Sequence, residues 1–368
     1  FGAEMQMSKL AAALGIDPVV FRLKNALHEG SVLATQSVIP PSVSVRETLM
    51  HAAEAAGWTE EGKPQPEGGA TGRLLRGVGV AAGYKNVCYS FGFPDKASAR
   101  CELYGQEAME KAVVKIGISE VGQGTLGVMG QVAAETLGVA YDRVQVVNED
   151  TAEVPEAGSC SASRGSFMGG NAVKLACEAA LEAWAAGERP AVAERTYRPR
   201  PTSMYDPETG VCDPHVTYGY GTQVVEVAVN PETGEVRLKK VWAVHDVGQA
   251  LNPMHVEGQI QGAISQAQGW TLLEDFILEE GQLRTKSYAD YLIPTVWDVP
   301  DEIHPLILEV GDPQGPYGAR GLGEMPMLML GPAILDAIHD ATGLWFNRLP
   351  VKAEDLLLRL KREVAIEG

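Results

Sequence analysis

The chain has 368 residues, 45% hydrophobic and 21% charged, and its 48 acidic against 30 basic residues give a formal net charge of −18. That composition is globular and long enough for a large core and two domains, while so acidic a surface repels phosphate backbones and argues against a nucleic-acid partner; its plain role is solubility. No apolar run reaches the roughly 18 residues of a membrane-spanning helix, and the amino-terminal stretch lacks the basic start and apolar centre of a signal peptide. Five cysteines (Cys88, Cys101, Cys160, Cys177 and Cys212) form no C-x-x-C pair and fit no zinc or iron–sulfur spacing. Their odd number points to reduced thiols in a cytoplasm.

In chain order, Met5 to Leu27 has helical periodicity broken at Gly15, with Asp17 and Pro18 suited to cap and open a second helix. Ser44 and Glu47 match a capping box for a helix to Ala56. Residues 58–75 are polar and rich in Gly, Pro and Glu, a linker that separates residues 1–65 from 66–368. Strand signals follow at Gly77–Ala82, Ala97–Leu103 and Ala112–Ile118, then a helix from Gly127 to Leu137 and a strand at Val144–Val147. Gly170 to Ala186 is helical, 187–210 a polar loop, and Gln223–Val229 and Val236–Val244 the arms of a hairpin. Val256 to Leu273 and Met325 to Ala341 are helical again. Strands and helices mix without a βαβα rhythm, which predicts an α+β fold of mixed sheets with helices packed on them.

Four times a glycine- or serine-rich stretch runs straight into a helix. The stretches are Gly122-Gln123-Gly124-Thr125, Ser159 to Ser166, Asp246 to Gln249 with Asn252-Pro253, and Gly318 to Glu324. Glycine lets backbone N–H groups approach a ligand, and a helix start offers free donors and partial positive charge. One such turn means little; four favour a large polyanionic, dinucleotide-like cofactor held by backbone. No G-x-x-x-x-G-K-S/T motif exists, and Gly77 to Gly83 reads as a strand, not a dinucleotide-binding turn. His245 and His255 read as structural.

These segments resemble the molybdopterin-binding subunit of the xanthine dehydrogenase and aldehyde oxidase family. Glu120-Val121-Gly122-Gln123-Gly124 is similar to its second E-x-G-Q-G segment, and Ser161-Ala162-Ser163 with Gly169 to Val173 to its cofactor loop and following helix. Asp246 to Pro253 with Gly258 to Ala263 resembles its D-x-G-x-x-x-N-P helix, and Gly318 to Glu324 its G-A/S-K/R-G-x-G-E segment. All four stand in family order, over essentially the whole chain. The family's larger subunit has another half before this one, and Phe1 to Gln6 looks like the tail of its last motif, so a processed or truncated product is expected.

The resemblance implies a molybdenum–molybdopterin cofactor in its cytosine dinucleotide form, with the metal held by the pterin dithiolene and no protein ligand. It implies a cytoplasmic hydroxylase that oxidises an electron-poor carbon of a purine- or nicotinate-like heterocycle with oxygen from water. An aldehyde-oxidising relative and a non-catalytic scaffold subunit are the alternatives. Electrons would leave through a 2Fe-2S subunit and an FAD subunit, and a second molybdopterin-binding chain would supply the missing half. Glu324 becomes the catalytic base, against a bland role as a helix-start charge. Gly122, Gln123, Gly124, Ser161, Ala162, Ser163, Gly165 and Gly323 become cofactor contacts. Gln259 and Gln266 either reach a cofactor phosphate or pack their helix, and Arg320 either neutralises pyrophosphate or pairs structurally. Phe1, Tyr89 and Phe91 are candidates to line the substrate, with core packing the alternative for the last two.

Overall fold

The computed structural model describes residues 1–66 and 74–367; residues 67–73 of the expected linker lie outside the described residues. Helix α1 (Gly2–Leu14) stops at Gly15, whose φ of 62° suits a glycine C-cap. Helix α2 (Pro18–Asn25) opens as its sequence demands: the Asp17 carboxylate accepts from the Val19 and Val20 N–H groups at 2.9 and 3.0 Å. Helix α3 (Val45–Ala55) follows Ser44, but the expected capping box is not formed. The Ser44 hydroxyl instead donates at 2.6 Å to the buried Asp246 carboxylate, a charge-assisted bond stronger than a cap.

One four-stranded sheet takes the order β1 (Leu75–Val87), β6 (Thr217–Val229), β7 (Val236–Asp246) and β10 (Glu302–Leu308). β6 is antiparallel to β1 and β7, and β10 runs parallel to β7. β6 is buried along its whole length because both sheet faces are covered. Leu49 and Ala52 of α3 pack with Val78, Val80, Val224 and Val244 on one face. Helices α6 (Pro253–Leu272) and α8 (Leu330–Thr342) pack with Val225, Val227 and Val241 on the other. On that second face β1 carries small residues. A Cβ added at Gly77 or Gly79 would lie 2.2 Å from the Ala337 or Ala333 carbonyl oxygen, so the glycines are what lets α8 lie on the strand.

The other four-stranded sheet has the order β4 (Val144–Val147), β3 (Met109–Lys115), β2 (Ala97–Gly105) and β5 (Ala191–Tyr197), with α4 (Thr125–Leu137) and α5 (Gly170–Ala185) sharing its core. β5 corrects the polar loop expected at 187–210. Only Ala191 and Ala193 face inward, so the strand carries almost no apolar signal. β10 escaped the sequence reading too; it is an edge strand that tolerates Pro305. The helix expected over 325–341 is divided into α7 (Met325–Leu328) and α8, and a further helix α9 (Ala353–Glu367) and a small hairpin, β8 (Leu278–Glu279) with β9 (Gln282–Leu283), complete the chain. Among the described residues no helix is long and apolar enough to cross a membrane.

Candidate cofactor site

The four glycine-led segments, far apart in sequence, meet at one cavity of about 390 Å³. Gln123, Ser163, Gln249 and Glu324 each stand for one of them in its wall.

Buried ion pairs hold the segments in place. Arg164 donates to Asp95 at 2.8 Å and to the carbonyls of Lys96, Ala157 and Ser159 at 2.7–2.9 Å, so the 157–164 loop is wrapped around a buried guanidinium. Arg320 lies 3.3 Å from Asp246 and 3.6 Å from Asp312 and donates to the Tyr218 and Ser42 carbonyls. Arg320 lines the cavity, but its guanidinium is paired in the core, the structural one of the two roles expected for it. Burial pushes the Asp246 carboxyl upward despite Arg320 and the bonds from Ser44, Gly248 and Val310. Gly321 passes so close to the 161–163 loop that an added Cβ would fall 1.7 Å from the Ser163 carbonyl oxygen.

Glu324 stands in the cavity wall just before α7. Its Oε2 accepts from Lys85 Nζ at 2.5 Å and from the Ser163 hydroxyl at 2.7 Å, and its own N–H donates to the Ser163 oxygen at 3.1 Å. Burial draws this carboxyl upward, but the bonds from Lys85 and Ser163 outweigh it and hold the group below the usual carboxylate range. Lys85 escaped the sequence reading. The one available signal was the small-residue alternation Gly77, Gly79, Ala81, Gly83, which places Lys85 on the α8 face of β1.

The start of α4 is not the open anion site its glycines suggested. The Glu120 carboxylate accepts the N–H groups of Gly122 and Gly124 at 2.9 Å and of Leu126 at 3.1 Å. Burial raises that carboxyl, yet these backbone bonds hold it below the usual range. The Gln123 amide accepts from the Val121 N–H at 2.6 Å and donates to the Ser119 carbonyl at 2.8 Å. Gln259 lines the cavity and donates to the Gly323 carbonyl at 3.1 Å, whereas Gln266 is exposed and outside the lining. Gly122, Gly124, Phe1, Tyr89 and Phe91 are also outside it. Tyr89 bonds Ser159 and packs edge-on against Phe93, and Phe91 packs against His215. His245 is fully buried in the core, its imidazole pushed down to about 3 by burial. His255, read as structural, proves to line the cavity, with a buried Nδ1 that has no partner among the described residues.

The cavity fits an anionic, oxygen-rich group. Among the described residues, the N–H groups of Ser161, Ala162 and Ser163 and of Gly321, Leu322 and Gly323 donate to no protein acceptor. Ser161, Ser163, Gly321, Leu322 and Gly323 of these two runs line the cavity with Glu324, while Ala162 lies outside the lining. Ala162 and Ser163 hold φ of 52° and 53°, a conformation costing about 1–3 kcal/mol each for non-glycine residues and kept where a site demands it.

The molybdopterin cofactor-binding domain family matches the chain over residues 51–189 and 179–300. The chain belongs to that family, which includes the molybdenum-binding subunits of the xanthine dehydrogenase and aldehyde oxidoreductase type. It is 30% identical to a probable xanthine dehydrogenase subunit of Bacillus subtilis, covering 99% of this chain and 52% of that protein. It is 31% identical to the aldehyde oxidoreductase of Megalodesulfovibrio gigas, covering 98% of this chain and 40% of that protein. The solved aldehyde oxidoreductase from Desulfovibrio gigas superposes with a TM-score of 0.83 at 28% identity, over 97% of this chain and 40% of that one. The chain thus spans about half the length of the relatives it matches, and its α+β fold is theirs.

Proposed function

We propose that this chain is the second cofactor-binding half of a molybdenum hydroxylase that uses water to oxidise an electron-poor carbon of a purine- or nicotinate-like heterocycle. The observation that carries the reading is Glu324, an anchored carboxylate on the cavity wall between two runs of free backbone donors. An aldehyde substrate is the second reading, favoured by the 31% identity to an aldehyde oxidoreductase; it needs the same base and the same cofactor.

In this reading residues 1–65 end a first cofactor-binding domain and residues 66–368 form the second. The Ser161–Ser163 and Gly321–Gly323 N–H groups hold the anionic edge of a molybdenum–molybdopterin cytosine dinucleotide, helped by Gln123, Gly165 and Gln259 in the same wall. When bound, that cofactor supplies a water-derived oxygen atom and takes up the electron pair of the oxidised carbon. Glu324 accepts a proton at Oε1 while Oε2 stays hydrogen-bonded to Lys85 and Ser163. A second chain, or a further part of this one, supplies the other half of the site. A 2Fe-2S subunit and an FAD subunit carry the electrons away in the cytoplasm. Metal and pterin analysis of the purified native complex, with native mass spectrometry, tests the proposal. Bound molybdenum, a cytosine dinucleotide and co-purifying iron–sulfur and flavin chains are expected. A metal-free preparation with full hydroxylase turnover would overturn it.

A further inference from the structure

Glu324 is half-exposed, with 45% of its side chain accessible, yet one of its oxygens is fully engaged. Oε2 takes both Lys85 Nζ and the Ser163 hydroxyl; among the described residues Oε1 takes nothing. Lys85 is itself only 16% accessible, and Nζ also stands 3.4 Å from the Ser163 oxygen, which closes a triangle of lysine, serine and carboxylate.

The fold places the lysine there for a physical reason. Along the α8 face of β1 run Gly77, Gly79, Ala81 and Gly83, all small because the helix lies directly on the strand. Lys85 is the next residue on that face, near the strand's end. Opposite it stands Gly219, beside Met325 and the Gly321 carbonyl, so no side chain of the neighbouring strand fills the space between Lys85 and the turn of Glu324.

We infer that Lys85 is a positioning residue for Glu324: with Ser163 it pins Oε2, leaves Oε1 to receive the reacting proton, and supplies the counter-charge of the ionised carboxylate. The inference rests on the hydroxylase reading for its kinetic consequence, but the pairing itself does not.

No other cation among the described residues competes for the carboxylate. Arg164 and Arg320, which also border the cavity, are bound to Asp95 and to Asp246 and Asp312. Other titratable groups about the site are His255 on α6, Cys160 beside Ser161, the buried Cys88, whose thiol is raised by burial against the charges of Arg164 and Lys85, and His215, whose imidazole is lowered by burial and by the charges of Lys85 and Arg200 against the pull of Asp213.

The experiment is an infrared carboxyl titration of the native complex, comparing wild type, K85M, K85Q, K85R and E324Q. The Glu324 band is the one missing from E324Q. It should protonate at higher pH in K85M and K85Q than in wild type, with K85R restoring most of the difference. Where turnover is measurable, the acid limb of kcat/KM moves to higher pH in the same variants, each unit of displacement being about tenfold in rate at a fixed pH on that limb. An unmoved band in whichever of K85M and K85Q folds overturns the inference while leaving the base assignment intact. A moved band together with full turnover in E324Q leaves the pair standing as a structural feature and overturns both the positioning role and the hydroxylase reading.

Discussion

Replacing Glu324 by Gln keeps the shape of the side chain and removes its ability to take a proton. The amide oxygen can still accept from Lys85 and Ser163, since both donate to the single oxygen Oε2. The amide nitrogen then occupies the place of Oε1 and presents donors where the reaction needs an acceptor. Two charge-assisted bonds become neutral-acceptor bonds, a loss of about 1 kcal/mol per bond in a dry site. Glu324 is half-exposed, so water screening reduces the stability cost to about 1 kcal/mol in total. Loss of a general base costs about 10²–10⁴ in rate. A helix-start charge of purely structural meaning would cost about 0.3–1 kcal/mol and leave the rate almost intact. Single-turnover reduction of the complex by substrate, followed in parallel with its molybdenum and pterin content, separates the two outcomes. Wild-type-like reduction at full cofactor occupancy refutes the assignment of the base.

Three other expectations follow from the way the site is held. Arg164→Met strands the buried Asp95 carboxylate and should destabilise the fold by about 3–5 kcal/mol, read by denaturant unfolding; a change under about 1 kcal/mol would show that the pair does not hold the loop. Gly321→Ala puts a methyl group into the Ser163 carbonyl and should empty the cofactor site more than it lowers the melting temperature, so an unchanged pterin content would contradict the close approach. Glu120 is held below its ordinary range by backbone N–H bonds, so its contribution to stability is full above the unfolded carboxyl value of about 4.3 and fades as pH falls through the lower folded value. Glu120→Gln should therefore flatten the acid side of the stability–pH curve, and an identical curve for the variant would refute the cap.

Local signals decided much of this protein in advance. Asp17-Pro18 opens α2 and Asn252-Pro253 opens α6, because a capping side chain and a proline act within one turn of backbone and need no distant partner. The glycine-led segments announced backbone donors for a similar reason, since donors at tight turns are written in the residues that make the turn, whereas Glu324 was singled out as a candidate base only through the family resemblance. Where sequence reasoning fell short, another group had claimed the side chain or the donors. Ser44 left its helix for Asp246, 202 residues on; nearer by, Glu120 took the N–H groups two to six residues along that the glycines had exposed, and of the two roles open to Arg320 the buried carboxylates decided for the structural one. Lys85 stands 239 residues from Glu324 in the chain and is joined to it by one ion pair. Neither residue carries a local trace of the other. Only the packing of α8 on a glycine-lined strand brings the ammonium to the carboxylate, so that contact belongs to the tertiary structure.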